Sequence, residues 1–148
     1  MLTLSLLPFT TTAKGVKVPK MYMFGFAASF NDTIVHFTDI QAVDSVWVDN
    51  SNHFILGREN YSNMLRDYLT SQQMPNRTCI VMYDRKASRL QKKYLKMKKL
   101  YTGNKKVKTH NDVRLIGADE FRFTSYDMGT IEEDTTTKPA KKEKKRKP

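Results

Sequence analysis

The chain has 148 residues with a formal net charge of +11, enough for one domain with tails to spare. Its single cysteine excludes an internal disulfide and any cysteine-rich metal site. The charge is unevenly placed: four basic residues face seven acids from Lys20 to Asp84, eleven basic residues and no acid follow from Arg85 to Lys108, and seven basic residues with one acid fill Lys138 to Pro148. Such asymmetry steers anionic partners and says nothing direct about fold.

The first element is "MLTLSLLPFTTTAKG", with an apolar run from Leu2 to Phe9. It is too short to span a bilayer, which takes about 20 residues, and it has the length of a signal-peptide core. Pro8 would break the apolar helix, and Thr11 and Ala13 fit the small residues before a cut after Ala13. No Lys or Arg precedes Leu2, so residues 1–13 read as a signal peptide truncated at its basic end. The expectation is export to the periplasm, the envelope or the medium, with a cytoplasmic location as the alternative.

A single domain is expected over residues 20–127. "KMYMFGFAASF" is apolar and aromatic throughout, the pattern of a strand buried on both faces, with Gly25 marking a close approach. Asn31-Asp32 supplies turn chemistry ahead of the β-branched "TIVHFTDI", so a hairpin follows. "SVWVDNSNHFILG" repeats short apolar runs about a polar turn, a second hairpin or a wide loop.

Tyr61, Met64, Leu65, Tyr68 and Leu69 recur at helical spacing and the pattern stops before Pro75. "RTCIVMYD" is a core strand, with Cys79 packed as a small hydrophobe and Asp84 placed to cap the next helix. In that helix Ala87, Leu90, Tyr94, Met97 and Tyr101 form a stripe at intervals of three and four, Leu95 and Leu100 widen it, and Gly103-Asn104 ends it. "DVRLIG" is a further strand and "DEFRFTSYD" an edge strand or docked extension. Residues 128–148 lack apolar periodicity and read as a disordered basic tail.

The order predicts an α/β fold on the border of α+β: one two-layer domain, a mixed sheet of four to six strands, hairpins first and then α-β-α-β. Both helices are expected on one face. The alternating second half implies parallel neighbours joined by right-handed crossovers.

Catalytic signatures are missing. No P-loop, G-x-G-x-x-G or G-x-S-x-G occurs. His36 and Asp39 are three apart in a strand and would face opposite ways, while His53 and His110 fall in loops, so no metal site and no cofactor is expected. Asp32, Asp39, Asp44 and Asp49 could supply paired carboxylates, but their spacing is that of strand ends.

The segments "MYMFGFAASFNDTIVHFTDIQAVDSVWVD", "ILGRENYSNMLRDYLTSQQMPNRTCIVMYD", "KKYLKMKKLYTG" and "FRFT" together resemble a group of small uncharacterised bacterial proteins of the exported class. The resemblance spans about Met21 to Thr124 and implies export and a bacterial source. That group has no assigned activity, so the resemblance transfers no functional residue.

The candidate site is therefore a surface. Arg89, Lys92, Lys93, Lys96 and Lys99 would form an outward anion-binding face, for an acidic protein, a polysaccharide or an anionic membrane surface. Lysine dominates over arginine, so recognition would be diffuse and sensitive to salt rather than bidentate. The alternative is a cytoplasmic nucleic-acid- or ribosome-associated protein using the same lysines and the tail on phosphates. Aromatic stacking on bases would require Tyr94 and Tyr101 to share the lysine surface, and their stripe assigns them to the core.

Overall fold

The computed structural model describes residues 15–103 and 109–127. The elements in order are β1 (Gly15–Ala28), β2 (Ile34–Thr38), β3 (Gln41–Asp49), α1 (Arg58–Ser71), β4 (Thr78–Asp84), α2 (Ala87–Thr102) and β5 (Asp112–Ile116). They form a single α/β domain built on one mixed five-stranded sheet with two helices. The expected signal peptide and basic tail lie outside the described residues, as does the "NKKVK" segment after Gly103. β1 starts at Gly15, ahead of the expected boundary at Lys20.

β1 is the spine. Its N-terminal part pairs antiparallel with β3, from Gly15↔Asp49 to Met23↔Gln41, and the same edge continues onto β2 at Phe26↔Phe37. Between Met23 and Phe26 the partner advances by four residues to β1's three, so β2 and β3 are one long strand broken by a bulge at Thr38–Ile40. The Thr38 hydroxyl accepts the Gly25 N–H at 2.8 Å where the ladder is interrupted. A second irregularity lies at Pro19, which sits opposite Ser45. Ser45 has φ 57, and both strands exchange inward and outward faces there: Val18 and Val46 join the core that Met21 and Val43 serve on the other side of the break.

Two expectations are corrected. The alternating order predicts parallel neighbours, yet among the described residues only β2 and β5 pair in parallel; β4 adds antiparallel to the free edge of β1, from Tyr22↔Asp84 to Ala28↔Thr78. β3 and β4 do run in the same direction, with β1 between them, because the connection through α1 passes over the central strand. The helices, expected on one face, lie on opposite faces. Tyr61, Leu65 and Leu69 of α1 pack with Met21, Met23 and Ala27. Leu90 and Tyr94 of α2 pack with Phe24 and Phe26. Alternate residues of a strand face opposite ways, and β1 is apolar on both sides, so each side needs its own cover. The domain has three layers rather than two.

The α1 side gains a further cover from residues 117–127. "DEFRFTSYD" is a docked extension, with Phe121 and Phe123 buried against α1 and β1. The buried Gln41 side chain takes the place of a pairing strand: its Nε2 donates to Phe121 O at 2.8 Å and its Oε1 accepts from Phe123 N–H at 2.8 Å. The expected second hairpin is a short return after β3, closed by Leu56 N–H to Trp47 O and an isolated bridge between Val48 and Ile55.

Candidate anion-binding surface

The α2 stripe turns inward. Leu90 and Tyr94 are buried, and Met97 and Tyr101 pack half-buried on the same cluster. The Tyr94 ring meets Phe24 edge-on at 5.0 Å, and Tyr101 lies 4.7 Å from Phe26. Ala87, Leu95 and Leu100 depart from the expected stripe and are exposed. At about 100° per residue, Leu95 is one step past Tyr94 and Leu100 one step short of Tyr101, so they sit on opposite flanks beyond the sheet's reach. Gly103, at φ 75, closes the helix by donating its N–H to Lys99 O.

The five candidate cations are all exposed, but they do not form one set. Arg89 donates through Nε and Nη2 to Asp84 Oδ1 at 3.0 and 2.8 Å, and Lys93 Nζ is 3.6 Å from Asp84 Oδ2. Lys92, Lys96 and Lys99 stand in solvent with no ion pair to any described residue. Lys98, between them in sequence, rests over the Tyr94 ring at 5.8 Å.

Asp84 was expected as a helix cap. The N-cap position is Lys86, and Asp84 accepts the Lys86 N–H at 2.9 Å, fastening the turn that enters α2 rather than its first helical amides. Desolvation would raise this carboxyl, but the Lys86 N–H, Arg89 and Lys93 outweigh it and hold Asp84 below its ordinary value. It remains an anion at neutral pH and organises the basic groups around it.

Near Asp84 the structure opens an uncharted feature, a groove of about 390 Å³ at the C-terminal end of β4. Arg58, Arg85, Arg89 and Lys93 line it together with Asp84, Tyr83 and Phe54. Arg58 donates to Val81 O at 3.0 Å and lies over the Tyr83 ring at 5.7 Å. The spacing along the chain holds little hint of this meeting, since Phe54 and Arg58 come from the turn and helix before β4, Tyr83 and Asp84 from its end, and Arg85, Arg89 and Lys93 from beyond it.

The other candidate groups stay apart. Asp32 and Asp49 flank opposite ends of the 14-residue β1–β3/β2 ribbon, roughly 40 Å apart by strand rise. Asp49 braces its own turn through Ser51 and Asn52. Asp32 pairs with the buried Arg77, which also donates to Ile34 O at 2.8 Å. His36 is buried in β2, whereas His53 and His110 are exposed in loops. Among the described residues no group of three His, Cys, Asp or Glu side chains could hold a metal. Burial pushes the Cys79 thiol up, against the opposing charges of Arg66 and Arg77, which makes it a poor nucleophile.

No helix among the described residues is long and apolar enough to cross a membrane. Comparisons with protein families, with curated proteins and with solved structures find no match.

Proposed function

We propose that this chain is a non-catalytic binding domain that acts outside the cytoplasm and meets an anionic partner through the outer face of α2. One observation carries this reading. Lys92, Lys96 and Lys99 fall at i, i+4 and i+7 on the solvent side, unpaired, while the helix's apolar stripe is spent on the sheet. Three mobile ammonium groups make a diffuse field suited to a polysaccharide, an anionic membrane surface or an acidic protein.

Export rests on the apolar Leu2–Phe9 run and the small residues before Lys14. A cut after Ala13 would leave β1 whole, since that strand begins at Gly15. The rival reading, a cytoplasmic nucleic-acid- or ribosome-associated protein, uses the same lysines on phosphates. It ranks second because Tyr94 and Tyr101 face the sheet and offer bases no stacking platform.

Cell fractionation with N-terminal sequencing of the mature chain separates the two. The proposal expects a protein outside the cytoplasm beginning near Lys14; an uncut cytoplasmic protein would favour the rival. Retention on a sulfated polysaccharide should fall in the Lys92→Gln/Lys96→Gln/Lys99→Gln variant, and unchanged retention would remove α2 from the interaction.

A further inference from the structure

The groove at the end of β4 supports an inference that goes beyond the lysine face of α2. We infer that it is a site for a small organic phosphate with a planar body, of the nucleoside-monophosphate class. Four cationic side chains, Arg58, Arg85, Arg89 and Lys93, line about 390 Å³ against one carboxylate, Asp84, which leaves an excess of three positive charges in one concavity. Such an excess, held beside apolar walls, focuses field on a dianion far better than lysines spread along an open helix.

The four cations have different tasks. Asp84, with its side chain only 10% exposed, fixes Arg89 and Lys93 at the groove. Arg58 is positioned by its bond to Val81 O and its seat over Tyr83. Arg85 is exposed and makes no ion pair with any described residue, so its planar fork is free for a bidentate grip on phosphate oxygens. The backbone of α2 agrees with an anion here: Arg85 precedes the helix, its N-cap makes no side-chain hydrogen bond and its first turn holds no acid, whereas the first turn of α1 carries Glu59.

The walls supply the second half of the ligand. Met21, Met82 and Tyr83 line the groove, and Phe54 also lines it, 63% exposed. An exposed aromatic ring beside a phosphate-sized cluster of cations suits a base or another flat ring that stacks while its phosphate meets Arg85.

Titration calorimetry on the full chain at low salt tests this with three probes: a nucleoside monophosphate, its parent nucleoside and inorganic phosphate. The monophosphate should bind at millimolar concentration or below, the nucleoside not measurably, and inorganic phosphate about tenfold more weakly than the monophosphate. Arg85→Ala, a change at an exposed unpaired residue, should weaken the monophosphate by about 10- to 100-fold, the loss of a charge-assisted hydrogen bond. Phe54→Ala should lower its affinity to that of inorganic phosphate. Arg122→Ala, at an exposed residue outside the groove, should leave affinity unchanged. No binding of the monophosphate, equal binding of the nucleoside, or an Arg85→Ala variant that binds like the parent would overturn the assignment. None of these outcomes bears on the lysine face, which the triple glutamine variant tests separately.

Discussion

At Gly25 both α1, through Leu65, and the 117–127 extension, through Phe123, pack tightly on β1, and adding one methyl group there tests the packing directly. A Cβ on Gly25 would stand 2.5 Å from Leu65 Cδ2, 3.1 Å from Phe123 Cζ and 3.3 Å from Thr38 Cγ2. Leu65 is wholly buried, so it cannot swing into solvent, and Phe123 is held by the Gln41 amide. Relief requires α1 or the 117–127 extension to shift. Overpacking of this kind costs about 1–3 kcal/mol. The loss of unfolded-chain freedom on Gly→Ala returns about 0.4–1 kcal/mol. Gly25→Ala should therefore destabilise by about 1–2 kcal/mol, read as a fall in Tm of roughly 4–16 °C. Leu65→Ala alone should cost about 2–5 kcal/mol by opening a cavity. In the double variant the new methyl enters the space Leu65 has vacated, so Gly25→Ala should cost nothing or stabilise. Urea unfolding of the four proteins gives the coupling energy. Equal costs of Gly25→Ala in both backgrounds would refute the contact between β1 and α1.

Further predictions address other parts of the fold. Burial, then the charges of Arg77 and Arg114, depress the His36 pKa below 6.5 against the pull of Asp32 and Asp112. The folded state thus binds fewer protons than the unfolded one, and the His36 contribution is intact above about pH 6.5 and lost as pH falls toward the depressed value. Unfolding free energy should decline between pH 7 and 5, and His36→Gln should flatten that slope; an unchanged slope would contradict the burial argument. Ser45→Gly should stabilise by a few tenths to about 1 kcal/mol, because φ 57 strains a residue with a Cβ, and a loss of stability would count against the left-handed geometry. Gln41→Ala strips partners from Phe121 O and Phe123 N–H, so the Phe123 amide should exchange with solvent much faster while the Gly25 amide stays protected. Simultaneous loss of protection at both would mean that the extension is not a separate layer.

The two helices and the strands were legible because their apolar spacing is regular and their stops, Gly103 and the turn before Pro75, are chemically explicit. Periodicity names the apolar face of a helix but not the side of the sheet that receives it. The signal for opposite sides was nevertheless present in β1, where an unbroken apolar run calls for two covers. Alternation of strand and helix fixed the shared direction of β3 and β4 and not their adjacency. The Pro19–Ser45 face exchange depends on which residues sit opposite, information that register alone supplies. For the candidate site, counting charge over residues 85–108 left Asp84 one position outside the window, and with it the partner that removes Arg89 and Lys93 from the free set. The groove escaped notice for a related reason: Phe54, Arg58 and Arg85 meet only after the connection through α1 returns the chain to the edge of β1.

The central functional claim is that three free lysines on α2, not five cations, set the affinity for a polyanion. Random-sequence duplex DNA serves as the calibrated polyanion, since each phosphate neutralised contributes about −0.9 to the slope of log K against log salt. Replacing Lys92, Lys96 and Lys99 together by glutamine should make that slope shallower by about 2.7. A triple variant with the slope of the parent chain would contradict the claim.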